Sequence, residues 1–167
     1  LAAVSLAAGV PLIFGAPLAG AWADRHDRKR TMMVTDLLSG CLSVAVAALM
    51  VAQVLNIWLL VVLVVLASMV GAFHNSAFDT SYAMLVPDKQ LPRANGMMQT
   101  MWALSGILSP SLAAMLIALP ELARQGLIPG EMGVALAALK DGAPLAITLD
   151  GVTFFFAATA LLFLFVP

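Results

Sequence analysis

The sequence predicts an all-α protein, a polytopic bundle of membrane helices. Hydrophobic residues make up 62% of the 167 positions and charged residues only 10%, whereas a soluble domain has about 25% charged residues. Charge is absent from residues 1–23, 37–78 and 94–120, and about 20 apolar residues suffice to cross a bilayer as a helix. These runs also lack the polar–apolar alternation of barrel strands. Each therefore predicts helix, because a lone helix satisfies its own backbone hydrogen bonds in lipid.

The order of the elements follows from where the uncharged runs break. A charged cluster at 24–30 ends the first run, and Gln53 and Asn56 interrupt the second run, which is long enough for two helices. The fourth run begins after Arg93, and the fifth follows a polar segment. We predict five spans, at residues 1–22, 32–52, 57–86, 94–119 and 147–167.

The distribution of Lys and Arg predicts the orientation. The loops at 23–31 and 87–93 contain most of these cations, whereas the longer loop at 120–146 contains Arg124 and Lys140. Since basic loops stay inside, we expect the first two loops in the cytoplasm and the third outside, in a plasma (bacterial inner) membrane. The outer loop is either disordered or contains a short surface helix, with apolar residues on one face at Met132, Ala135, Leu136 and Leu139.

Composition excludes several function classes. The single cysteine, Cys41, excludes a disulfide framework and a thiolate metal site. His26 and His74 are too far apart in sequence to show a metal-ligand spacing. No Gly-rich phosphate loop and no hydrolase or zinc-protease motif is present. We therefore expect no metal, no cofactor, no nucleic-acid partner and no enzyme activity.

The charged turn after the first span carries a specific pattern, GAWADRHDRKR at residues 20–30. It resembles the signature loop between the second and third helices of each half of the major facilitator superfamily, Gly-x-Leu-Ala-Asp-Arg-x-Gly-Arg-Lys/Arg. Trp22 and Asp27 replace the Leu and the second Gly of that pattern. The matching residues are Gly20, Ala23, Asp24, Arg25, Arg28 and Lys29.

Two later segments resemble one exporter branch of that superfamily, which includes enterobactin-exporter-like and macrolide-efflux-like carriers. Residues 83–96 are similar to its LVP-x-x-x-L-x-x-A-N stretch, and residues 150–154 to its Asp-Ala-x-Thr/Ser-Phe helix start. The resemblance implies that the five spans are helices two to six of a twelve-helix carrier. The chain is then a partial N-terminal half, and its partners include the missing remainder of the same carrier and the lipid bilayer.

The resemblance also implies a function. It indicates a secondary active transporter that exports small amphipathic molecules, such as a drug, macrolide or siderophore, by alternating access with protons as the coupling ion. The alternative is a transport-inactive scaffold or sensor of the same fold.

The resemblance further implies a gating role for the signature loop, at Gly20, Asp24, Arg25, Arg28 and Lys29 together with Asp79. We predict that Asp24, Arg28 and Asp79 form a charge relay that keeps the cytoplasmic gate closed in the outward-facing state. In the alternative, Asp79 extends to the membrane interface.

The fourth span carries two further candidate groups. Asn95, Gln99 and Trp102 share a face that either lines a central cavity or forms interhelical hydrogen bonds. The segment with Ser105, Gly106, Ser109 and Pro110 resembles an antiporter helix motif in which small residues replace glycines. It predicts a hinge, because Pro110 removes one backbone hydrogen bond, although ordinary small-residue packing is the alternative.

Three more polar residues lie in or beside the spans. Asp36 either pairs with the basic loop or is a solvated carboxylate. Asp150 is expected to cap the N-terminus of the last helix rather than carry protons. His74 either carries protons or hydrogen-bonds a neighbouring helix, and the second role is the commoner one for a lone membrane histidine.

Overall fold

The computed structural model describes residues 2–164, which confirm the all-α prediction: among them there is no strand. The outermost positions of the first and last predicted spans, 1 and 165–167, lie outside the described residues. The α-helices are α1 Ala2–Ala23, α2 Arg28–Val51, α3 Ile57–Leu85, α4 Leu91–Arg124, α5 Gly130–Ala137 and α6 Ala143–Phe163. One 3₁₀ turn, Asp88–Gln90, precedes α4.

Five of these helices are long and apolar enough to cross a membrane, and α5 is short. The helices extend beyond several predicted spans. Helix α2 begins at Arg28 instead of residue 32, α4 continues to Arg124, and α6 begins at Ala143 instead of residue 147. The early start of α6 has a local cause, because Pro144 lies in its first turn, where a missing N–H and a fixed φ favour a helix start.

The ends of α2 and α3 follow side-chain chemistry that the sequence carries. Asn56 caps α3, and its side-chain oxygen accepts a hydrogen bond of 2.9 Å from the Leu59 amide. Between the helices, Gln53 adopts a left-handed conformation with φ 57°. The amide of Val54 donates to the Leu49 carbonyl, and that of Gln53 to the Met50 carbonyl. These two bonds close α2 as a Schellman turn.

Four long helices form the packed part of the molecule, which we call the bundle: α1 packs on α3, α3 on α2, and α2 on α6. Its buried positions are mostly small. Gly40 of α2 faces the Phe155 ring of α6 so closely that an added Cβ would lie 3.1 Å from the ring. Small residues let helix backbones approach in lipid. The buried alanines of the bundle are Ala7, Ala19, Ala23, Ala47, Ala72, Ala77 and Ala158.

Helix α4 lies at the margin of this bundle. It contacts α6 and α5, and its buried residues, Pro120 and Ala123, are both near its C-terminal end. A Cβ on Gly142 would overlap the Leu116 carbonyl oxygen, so α6 begins in direct contact with the α4 backbone. Residues 99–112 are exposed without exception. Most of α4 is thus uncovered by the described chain.

The loop at 120–146 contains the short helix α5, so the helical alternative is the one that the structure adopts. Met132 and Ala135 are exposed, while Leu136 is half-buried. The Arg124 guanidinium donates to the carbonyls of Ala137, the last residue of α5, and of Leu139 and Lys140 just beyond it. A cation at a helix C-terminus is favourable, so Arg124 attaches α5 to the end of α4.

Candidate functional site

The signature turn is fastened by aromatic contacts at the end of α1. The Trp22 indole stacks on the His26 ring, with centroids 3.7 Å apart and planes 6° from parallel. It also meets Phe73 of α3 edge-on at 6.2 Å. Trp22, which stands where the family pattern has Leu, therefore ties the turn to α3.

Two other turn residues act as helix caps. Asp27 caps α2, since its carboxylate accepts from the Arg30 amide at 2.9 Å. Lys29 extends across to α6, where its Nζ donates to the carbonyls of Leu162 at 3.2 Å and Leu164 at 2.6 Å. These carbonyls are left unpaired at a helix end. Lys29 of the signature turn thus supplies a hydrogen-bond donor to the carbonyls at the C-terminal end of α6. The sequence pattern does not reveal this role.

Gly20 and Arg28 do not make the close contacts that the signature suggests. A Cβ on Gly20 would lie 3.8 Å from the Ser76 Oγ, an ordinary contact distance, so close helix approach does not require this glycine here. Arg28 is half-buried, and its Nε is buried without a hydrogen-bond partner among residues 2–164.

The residues of the predicted relay do not pair in this structure. Within residues 2–164, no ion pair joins Asp24, Arg28 and Asp79. Asp24, Arg25 and Asp79 are all exposed. The relay stays a prediction for the outward-facing state.

Asp79 instead joins the predicted cavity residues. A pocket of about 340 Å³ lies between α3 and α4, and its wall includes Asp79, Asn95, Gln99 and Trp102. The Tyr82 hydroxyl, also at this pocket, is buried and has no hydrogen-bond partner in the described chain. Aromatic walls with a few polar groups are typical of small-molecule sites. The remaining lining residues are Phe78, Ala83, Leu91 and Met98.

The predicted hinge, at residues 105–110, lies on α4 beyond the residues that line this pocket. The helix continues through Pro110, and Ser105, Gly106 and Ser109 are exposed. Nothing lies within 4 Å of a Cβ added to Gly106. This small-residue face therefore contacts no other helix of the described chain, and hinge motion stays a prediction.

Two polar contacts inside the bundle, one buried and one exposed, correct the sequence-based interpretation. Asp36 does not pair with the basic loop and is not solvated: its Oδ1 lies 3.0 Å from the His74 Nδ1, and its side chain is only 4% exposed. Asp150 does not cap α6, because that helix begins at Ala143; its Oδ2 accepts from the Ser43 hydroxyl at 2.7 Å. His74 does bond a neighbouring helix, as expected.

These contacts border a second cavity, of about 470 Å³, between α2, α3 and α6. Its polar wall comprises Ser39, Ser43, His74, Asn75 and Asp150. Sequence reasoning did not connect these residues because they come from three helices. An available signal was the occurrence of two carboxylates and a histidine inside apolar runs, where such groups are costly unless they serve a purpose.

Comparison with known proteins agrees with the fold. The sequence model of the family described as Major Facilitator Superfamily matches residues 1–167. Macrolide efflux protein A of Streptococcus pyogenes is 31% identical over 122 residues, which cover 73% of this chain and 30% of that protein. The multidrug efflux pump Tap of Mycolicibacterium fortuitum is 31% identical over 121 residues, 69% of this chain and 29% of the pump. No solved structure gives a significant match.

A third relative, macrolide efflux protein A of Enterococcus faecalis, is 31% identical over 119 residues, which cover 71% of this chain and 37% of that protein. The chain therefore spans about a third of the length of these curated relatives. The family match extends over all of its residues. The chain belongs to the major facilitator superfamily and is part of a multi-pass membrane protein, and that family indicates a transporter rather than an enzyme.

Proposed function

We propose that this member of the major facilitator superfamily is part of a proton-coupled exporter of small amphipathic molecules, with macrolides as the first substrate class to test. The observation that carries the proposal is the α3–α4 pocket, whose wall includes Asp79, Asn95, Gln99 and Trp102. The names of the chain's relatives point to the same substrates, since two are macrolide efflux proteins and one is a multidrug efflux pump.

The chemistry of this pocket suits such substrates. A macrolide presents a large apolar ring together with hydroxyl and amine groups. Phe78 and Trp102 offer apolar aromatic surface, the amides of Asn95 and Gln99 offer hydrogen bonds, and Asp79 offers a negative charge for the amine. Met98 adds a flexible side chain that adapts to different ligand shapes.

The exposed polar face of α4 supports a transport path rather than a lipid contact. Asn95 and Gln99 are exposed along the same face as Trp102, and unpaired amides are costly in hydrocarbon. In the whole carrier, this face lines water or other helices. Alternating access then opens the pocket first to one side of the membrane and then to the other.

The proposed orientation puts the signature turn and the 3₁₀ turn in the cytoplasm, in a bacterial inner membrane. The segments 23–31 and 87–93, which contain these turns, both carry net positive charge, from cations that include Arg25, Arg28, Lys29, Lys89 and Arg93. Positive charge is retained on the cytoplasmic side. The helix α5 then lies at the outer surface.

The test is efflux from cells that express the full-length carrier. Cells are loaded with a labelled macrolide or a cationic dye, and export is followed before and after an uncoupler collapses the proton gradient. We expect export that stops on uncoupling and that is reduced by Gln99→Leu, with Leu108→Ile on the opposite face of α4 as the matched control. Absence of export with the protein in the membrane would favour the transport-inactive scaffold or sensor.

A further inference from the structure

We propose that Asp36 and His74 form the site that binds and releases the transported proton. The assignment rests on the proposed function, proton-coupled export, and names the residues that couple it to the proton gradient. It concerns the bundle, away from the α3–α4 pocket.

With Asp36 as a carboxylate, the geometry sets the tautomer of His74. Its Nδ1 lies 3.0 Å from the Asp36 Oδ1 and 3.3 Å from the Thr35 Oγ1. The Thr35 hydroxyl donates its hydrogen to carbonyls of its own helix, at Thr31 and Met32. Both oxygens facing Nδ1 are therefore acceptors, so Nδ1 carries a hydrogen.

With Nδ1 protonated, the second ring nitrogen is the base. The Nε2 of His74 has no hydrogen-bond partner within residues 2–164. The ring is 31% exposed and lines the 470 Å³ cavity. An incoming proton adds to the Nε2 lone pair, the ring becomes an imidazolium ion, and Asp36 remains a carboxylate. Release breaks the same N–H bond, so no other group changes its bonding.

Loading changes the net charge of the pair. The empty pair holds one negative charge on Asp36, and the loaded pair is a carboxylate beside an imidazolium ion with no net charge. Histidine changes charge near neutral pH more readily than any other side chain. Because unpaired buried charge is unfavourable, proton binding alters the relative stability of states that bury the α2–α3 interface to different extents.

The titratable groups around the pair are few. Asp150 of α6 lines the same cavity, with its carboxylate held by Ser43, which lies about 10 Å further along α2 than Asp36. On the other side of Thr35, a separate cavity is bordered by His26, Asp27 and Arg30. Asp150 is thus the competing carrier and must be tested in parallel.

The experiment uses the purified full-length carrier in proteoliposomes with a labelled macrolide. Transport driven by an imposed pH gradient is measured beside the exchange of labelled for unlabelled macrolide, which needs no net proton movement. The main variant is Asp36→Asn/His74→Gln, in which two neutral amides can still hydrogen-bond. We expect gradient-driven transport to be lost and exchange to be retained.

Two variants serve as comparisons. Glu131→Gln removes an exposed carboxylate from α5 and is expected to leave both activities unchanged. Asp150→Asn is expected to retain gradient-driven transport. Undiminished gradient-driven transport by the double variant would overturn the assignment, and so would its loss in Asp150→Asn alone.

If the proposed function is wrong, the same assay gives a different result. A wild-type carrier that exchanges macrolide but does not respond to the gradient contradicts proton coupling itself, before any variant is made. If the double variant does not fold, His74→Gln is assayed in detergent for proton release on macrolide binding. We expect release from the wild type and none from His74→Gln, and equal release from both would overturn the assignment.

Discussion

Polar side chains are paired across helix interfaces in the bundle, whereas on α4 they are exposed. In the bundle, Asp36 pairs with His74 and Asp150 with Ser43, across helix interfaces. On α4, the amides of Asn95 and Gln99 are exposed. All of these residues belong to helices long enough to cross a membrane, where a polar group needs a partner or water.

Polar side chains therefore serve two purposes in this fold, helix–helix contact in the bundle and, in the proposed function, ligand binding on α4. Both polar pairs of the bundle connect neighbouring helices, and loss of the Asp36–His74 contact leaves the buried Asp36 carboxylate unsatisfied. Open polar groups on α4 contribute little to the stability of the described chain and remain free to meet a ligand. Stability measurements should therefore respond more to the bundle than to the exposed face of α4, and substrate binding should respond to α4.

The largest expected effect comes from breaking the buried pair. His74→Ala leaves the buried Asp36 carboxylate without its hydrogen-bond donor, and the cost for such a charged group exceeds the value of about 1–3 kcal/mol for a neutral one. Gln99→Ala removes an exposed amide and is expected to change stability by less than about 0.5 kcal/mol. Thermal unfolding of the full-length carrier in detergent measures both. Equal shifts in Tm would remove the distinction between the two regions.

A pair of glycine substitutions compares packing in the two regions. Gly40→Leu forces a side chain into the Phe155 ring and is expected to destabilise the carrier by about 1–3 kcal/mol. Gly106→Leu extends into open space and is expected to stabilise α4 by about 0.5–1 kcal/mol, since glycine is a poor helix former. The same unfolding assay applies. Comparable destabilisation by Gly106→Leu would show that this face packs against another helix of the carrier.

The smallest effect concerns the basic turn. Lys29→Met removes the hydrogen bonds to the Leu162 and Leu164 carbonyls and is expected to cost about 1 kcal/mol. Arg25→Met is the matched control, because the exposed Arg25 side chain makes no hydrogen bond or ion pair to the described residues. Lys29→Arg should retain most of the stability. A Tm unchanged in Lys29→Met would mean that the turn does not support the end of α6.

What the sequence could predict depended on how local each feature is. The helices follow from apolar runs, and the shared face of Asn95, Gln99 and Trp102 follows from spacing within one helix. The addition of Asp79 to that group depends on how α3 packs beside α4. The Asp36–His74 contact likewise depends on the rotation of two helices, which single-chain spacing does not fix. The Asp150 interpretation was wrong because Pro144 starts α6 earlier than the apolar run does.

The most direct test of the account asks whether α4 lines the substrate path. In the full-length carrier with the exposed Cys41 replaced by Ala, a cysteine is introduced by Gln99→Cys or, nine residues on and on the opposite face, by Leu108→Cys. Membrane vesicles are then treated with a water-soluble maleimide, with and without macrolide. We predict rapid labelling of the Gln99→Cys variant that macrolide slows, and little labelling of the Leu108→Cys variant under either condition. Labelling of the Gln99→Cys variant that is absent, or that macrolide leaves unchanged, would contradict the account.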